Sequence, residues 1–143
     1  MKVKQVSVFL ENRSGRLADV TRTLADAGVN IRALSIADTV DYGFLRLIVD
    51  NPDLAVKVLT DKGFTVAQTE VLAIEVPDRP GGLAGIVDTI SAKGMNIEYM
   101  YAFVGRSGEN AIVVFRIDPI NEAIRALQEA GVRVLTGEEL HGL

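Results

Sequence analysis

The chain is written twice. Gly15 recurs as Gly81 and Gly28 as Gly94, a constant offset of 66, and Gly63 recurs as Gly131 at an offset of 68. The residues around these glycines match as well. Asn12-Arg13-Ser14-Gly15-Arg16-Leu17 answers Asp78-Arg79-Pro80-Gly81-Gly82-Leu83, and Gly28-Val29-Asn30-Ile31 answers Gly94-Met95-Asn96-Ile97. A duplicated unit of roughly 70 residues has to solve the same packing problem twice, and it sets the same groups at two related positions. A site in such a chain is expected as a pair, which points away from a single catalytic centre.

Periodicity gives each half the same order of elements. Val6, Val8 and Leu10 alternate with Gln5, Ser7 and Phe9, the mark of a half-buried strand. Leu17, Val20, Thr21, Leu24 and Ala27 then recur at helical spacing, with Gly28 placed for a left-handed C-terminal cap. Residues 31–38 read as a strand, Asp41-Tyr42-Gly43 as a hairpin turn, and 44–50 as a third strand. Pro52 opens a second helix through Asp61, Gly63 ends it, and 64–67 form a fourth strand. In the second half Leu72, Ile74 and Val76 make the first strand and 83–93 the first helix. Residues 97–104 and 111–117 pair across a turn at Gly105–Gly108, Pro119 opens a helix that Gly131 closes, and 132–135 form the last strand.

Both halves are therefore βαββαβ. Right-handed crossovers turn that order into a four-stranded antiparallel sheet with two helices on one face, an α+β ferredoxin-like fold. The expected domains are 1–70 and 71–143, joined directly by Gln68 to Leu72 without a Gly/Ser linker. A domain near 70 residues buries too little surface for comfortable stability alone, so the halves are expected to pack together, with the option of one joined eight-stranded sheet.

Composition removes several classes of function. The chain of 143 residues has a net charge of −4, which argues against a nucleic-acid partner, since such a partner needs clustered basic surface. It has no cysteine, so disulfides, thiolate catalysis and cysteine metal sites are excluded. Its one histidine, His141, sits at the tail and is expected to be solvated. No metal or cofactor is expected. Met1 leads into a strand pattern with no apolar leader and no membrane-length run, so a soluble, cytoplasmic protein without a membrane partner is expected.

The matched loops carry the chemistry. Each feeds a helix N-terminus, where free N–H groups and the positive end of the dipole suit a carboxylate, and glycine lets a ligand approach the backbone closely. The dipole contributes ~0.3–2 kcal/mol, enough to orient a ligand but not to hold it alone. Asn30 and Asn96 each offer a carbonyl for an ammonium and an amide for a carboxylate. Carboxylate plus ammonium describes an amino acid. The same residues also have an ordinary structural use. Gly15 and Gly81 suit tight turns, Asn30 and Asn96 suit backbone bonds after a helix cap, and a paired Arg13 and Arg79 is often only solvated charge.

Within one half the loop and the asparagine lie at opposite ends of the sheet. If the halves join antiparallel through their second strands, each loop instead faces the asparagine of the other half. One expected pocket combines Asn12, Arg13, Ser14, Gly15, Arg16 and Leu17 with Asn96 and Ile97. Its twin combines Asp78, Arg79, Pro80, Gly81, Gly82 and Leu83 with Asn30 and Ile31. Arg16 becomes Gly82 in the repeat, so the two are not equivalent.

The Asp78–Leu83 loop, its helix and Gly94-Met95-Asn96-Ile97 resemble the ACT-domain family. The first half matches more loosely, with Ser14 where proline is usual and a charge at Arg16. The resemblance spans nearly the whole chain and is similar to the free-standing tandem type. It implies the βαββαβ fold, amino-acid or other small-molecule binding at domain interfaces, and regulation of a partner rather than catalysis. It would place ligand contacts on Arg13–Leu17, Asn30, Arg79–Leu83 and Asn96.

Three rivals share the topology. An acylphosphatase-like enzyme needs a phosphate loop that Arg13-Ser14-Gly15-Arg16 does not match, and no nucleophile–base set is present. An RNA-recognition module needs sheet aromatics. Tyr99, Tyr101 and Phe103 share a strand face in the second half, but Ala33, Ser35 and Ala37 stand in the first. With Ile112 and Val114 beside them, those rings are instead expected to pack in a homodimer. A protein-interaction module without a small ligand is the remaining alternative.

Overall fold

The computed structural model describes residues 2–11, 13–38, 41–107 and 110–141. Asn12 and Gly108 fall outside them, as does the side chain of His141. The chain divides into a first unit, Lys4–Thr69, and a second unit, Met1–Val3 with Glu70–Leu143.

In the first unit β1 (Val3–Glu11) leads to α1 (Arg16–Asp26), β2 (Ile31–Asp38), β3 (Tyr42–Val49), α2 (Pro52–Asp61) and the start of β4 (Thr65–Pro77). β3 pairs antiparallel with both β1 and β2, and β4 neighbours β1. The second unit continues β4 and adds α3 (Gly82–Ala92), β5 (Asn96–Ser107), β6 (Asn110–Asp118), α4 (Ile120–Glu129), β7 (Val134–Leu135) and α5 (Gly137–His141). β6 pairs antiparallel with β4 and β5, and β7 with β4. Each unit is thus a ferredoxin-like antiparallel sheet, as the repeat requires.

The strand face that alternation marks as apolar is the one the helices cover. In the first unit Val6, Val8 and Leu10 from β1 meet Leu45, Leu47 and Val49 from β3 under Val20, Leu24, Ala55 and Leu59. In the second, Leu72, Ile74 and Val76 meet Val113, Phe115 and Ile117 under Ile86, Ile90, Ala123 and Leu127. Burying one such Leu, Ile or Phe side chain contributes ~1.5–3 kcal/mol, so these rows fix strand register as well as helix orientation.

Helices α1 to α4 stop in the same way. Gly28, Gly63, Gly94 and Gly131 all have positive φ. The next residue then donates its N–H to the carbonyl of the buried residue five positions back: Val29 to Leu24, Phe64 to Leu59, Met95 to Ile90 and Val132 to Leu127. Each glycine also donates to the residue three back. This paired pattern closes a helix around a left-handed residue and returns the chain to the core.

Two details differ from expectation. The strands expected at 64–67 and 72–76 are one strand of 13 residues, β4, so seven strands are found among the described residues rather than eight. Gln68-Thr69-Glu70-Val71 contains no Gly, Pro, Asn or Asp, so nothing there turns the chain. The final strand is two residues long and gives way to α5, where Thr136 and Glu139 form a capping box. The Thr136 hydroxyl accepts from the Glu139 N–H, and the Glu139 carboxylate accepts from the Thr136 N–H.

Candidate functional site

The two loops fold alike, bond for bond. Arg13 donates its N–H to the Glu11 carbonyl, Arg16 to Arg13, and Asp19 to Gly15. In the second copy Arg79 donates to Pro77, Gly82 to Arg79, and Gly85 to Gly81. Gly15 and Gly81 have φ of 90° and 86°, a conformation that side chains rarely adopt. Neither helix start has a side-chain cap. Leu17 and Leu83 stand in the first turn of α1 and α3, each 39% exposed. Ser14, Asp78 and Pro80 form the outer parts of these turns and are exposed or nearly so.

The asparagines are elsewhere. Asn30 precedes β2, where its N–H donates to the Asp50 carboxylate and its carbonyl accepts from the Asp50 N–H. Its end of the sheet pairs Ile31 with Val49, whereas the loop end pairs Glu11 with Tyr42. Seven residues of β3 separate the two, roughly 23 Å along the strand. In the second unit Asn96 pairs with Asp118 and Pro77 with Asn110, again at opposite ends of one strand. Within a unit, then, loop and asparagine do not meet. Ile31 and Ile97 pack against the cores of their units, which gives them a structural role.

In the second unit the loop meets the segment after the second helix of its own unit, and in the first unit Arg16 alone of the loop does so. In the first unit a cleft of about 530 Å³ is lined by Arg16, Asp19, Thr23, Lys62 and Phe64 among others. In the second unit a cleft of about 530 Å³ is lined at the matching positions by Gly82, Gly85, Thr89, Ala130 and Val132. The second cleft also takes in Arg79, Glu75, Asn110 and Arg133. The last three form one polar group. The Arg133 guanidinium donates to Glu75 Oε1 at 2.7 Å, and the Asn110 amide donates to Glu75 Oε2 at 3.2 Å.

Arg133 also pairs with Glu139 of α5. The Glu139 hydrogen bond, with the Glu75 charge beside it, raises the Arg133 guanidinium above its ordinary value. The Glu139 carboxylate is held low, first by the Thr136 N–H and then by Arg133. The arrangement sets one carboxylate, Glu75, between an amide and a guanidinium at the wall of the cleft. Among the described residues no cluster of His, Cys, Asp and Glu could hold a metal ion.

The family model described as ACT domain pair matches residues 1–143. The chain belongs to the ACT domain pair family. A solved structure of a protein from Bacteroides thetaiotaomicron is 44% identical to this ACT domain pair over 100% of this chain and 98% of that one, with a TM-score of 0.94. The ligand-free regulatory subunit of aspartate kinase from Thermus thermophilus is 18% identical over 89% of this chain and 91% of that one, with a TM-score of 0.63. The corresponding subunit from Thermus flavus is 18% identical over 90% and 92%, with a TM-score of 0.61. At 18% identity the likeness is one of fold. Comparison with the curated proteins finds no match.

In this ACT domain pair, Glu75, Asn110 and Arg133 line the second cleft, and sequence reasoning did not single them out. Pairing of Pro77 with Asn110, and the bond from the Glu75 N–H to the Arg133 carbonyl, bring them beside the loop. The shared offset of Gly63-Phe64 and Gly131-Val132 was the available signal, because it places the post-helix segment equivalently in both copies. Tyr99 and Tyr101 pair with Arg116 and Val114, on the face opposite the helix-covered Val113 and Phe115. Both tyrosines are half-buried, and Phe103, Ile112 and Val114 are buried within the single chain. No helix among the described residues is long and apolar enough to cross a membrane.

Proposed function

We propose that this ACT domain pair is a regulatory sensor that binds a small molecule of the amino-acid class at its glycine loops and relays that binding to a partner protein. One observation carries the reading. In each copy a positive-φ glycine turn leaves a helix start without a side-chain cap, and in the second copy that turn lines a cleft of about 530 Å³. That volume lies within the usual range for a small-molecule site, and the donors suit a carboxylate. The aspartate kinase regulatory subunits that share the fold support a regulatory role.

The proposed contacts are Arg13–Leu17 and Arg79–Leu83, with Asn30 and Asn96 as further proposed contacts. Thermal denaturation with each standard L-amino acid in turn tests the reading. A ligand at 100 times its Kd adds ~2.7 kcal/mol of stability. Asn96→Ala then tests the asparagine. Lost affinity supports its place in the site, and unchanged affinity removes it. The expected dimer face is largely covered within one chain, with Phe103, Ile112 and Val114 buried, so homodimerisation stays in the proposal only through the half-buried Tyr99 and Tyr101, and a smaller solution mass for Tyr101→Glu is the expected result.

An interaction module without a small ligand is the second reading. It is favoured by three exposed rings, Phe9 with Tyr42 at 5.0 Å and Phe44 at 5.8 Å between ring centroids. An absence of stabilisation by any amino acid favours that reading.

A further inference from the structure

The two clefts match in position and differ in content. In the first unit Arg16 lies across the cleft. Its guanidinium carbon is 4.6 Å from the centre of the Phe64 ring, and Nη1 is 3.7 Å from the Asp19 carboxylate. At the matching positions of the second unit stand Gly82, Val132 and Gly85. The occupant is absent there, and Gly82 cannot acquire one by a simple substitution. A Cβ on Gly82 would lie 2.0 Å from the Pro77 carbonyl oxygen. Gly85 faces open space instead, with nothing within 4 Å of an added Cβ.

The walls differ too. In the second unit Glu75, its side chain 11% exposed, accepts from Asn110 and Arg133. By the loop register Phe9 takes the place of Glu75, and by strand pairing Tyr42 takes the place of Asn110. The first unit has two packed rings where the second has a carboxylate and an amide.

We infer that the cleft of the second unit, lined by Arg79, Pro80, Gly81 and Gly82 of its glycine loop, is the ligand site of this chain, and that the cleft of the first unit, lined by Arg16 alone of the matching loop, is not. The ligand class is a free α-amino acid. Its ammonium is held by Glu75, its carboxylate is held by the Arg133 and Arg79 side, and its side chain lies over Gly85. Duplication alone would give two sites per chain, whereas this assignment gives one. It rests on the amino-acid reading above and adds which copy binds and through which residues.

The test uses the full chain and the standard L-amino acid that raises the melting temperature most. Calorimetric titration should give one site per chain. Gly85→Leu fills the cleft from a helix position with space around it, and should lower affinity at least about tenfold while melting at or above the parent temperature. Glu75→Gln keeps the shape and removes the charge, and should lower affinity about tenfold or more.

Two sites per chain, or full affinity in Gly85→Leu, would overturn the assignment and leave the amino-acid reading standing. Full affinity in a folded Glu75→Gln would do the same for the role of that carboxylate. No response of the parent chain to any amino acid would remove the reading itself.

Discussion

The guanidinium of Arg16 sits on the ring of Phe64, the first residue after the glycine that ends α2. This cation–π contact bridges the start of α1 to the start of β4 within one unit. A contact of this kind contributes ~0.5–1 kcal/mol when partly exposed. Arg16→Ala should lower unfolding free energy by about that amount, and Phe64→Leu should make the loss from Arg16→Ala smaller. A double-mutant cycle in urea measures the coupling, and additive losses would mean the stacking carries no energy.

Gly82 and Gly85 stand one helical turn apart and predict opposite outcomes. Gly82→Ala drives a Cβ into the Pro77 carbonyl, and overpacking of this kind costs about 1–3 kcal/mol. Gly85→Ala adds a methyl in open space within a helix and should stabilise by ~0.5–1 kcal/mol. Melting temperatures of the two variants, compared with the parent, check both signs at once.

Acid should destabilise the fold through two carboxylates. Asp53 is held below its ordinary value of 3.8, first by the Gln68 amide and then by Lys4. Glu139 is held below its ordinary value of 4.5 by the Thr136 N–H and Arg133. A carboxylate with a depressed folded pKa binds protons more readily in the unfolded chain. Its stabilisation is therefore complete above the ordinary value and is lost as pH falls through the lowered one. Stability should be flat between about pH 7 and pH 5.5 with respect to these groups and fall below about pH 4.5. Asp53→Asn and Glu139→Gln should each reduce the steepness of that fall in denaturation curves taken across the range.

Much of this architecture was legible because it rests on local chemistry. The four helix-ending glycines, the Pro52 and Pro119 helix starts and the alternating strands each follow from one or two residues. The continuous β4 was not, because a polar stretch such as Gln68-Thr69-Glu70 is equally suited to a link and to a strand until a neighbour pairs with it. α5 was readable in principle, since Thr136 and Glu139 stand at capping-box spacing, but a helix of five residues leaves almost no periodicity.

The candidate site divides in the same way. Loop geometry at Gly15 and Gly81 was readable from the repeat. Glu75, Asn110 and Arg133 were not, because strand pairing between residues far apart in sequence brings them together. The stacking of Arg16 on Phe64 in the first cleft depends on a rotamer and a ring 48 positions away, which no short motif records.

Calorimetric titration of the chain with standard L-amino acids tests the central claim most directly. The account predicts saturable binding of at least one of them with a stoichiometry of one per chain. Heats indistinguishable from dilution for every amino acid would contradict it.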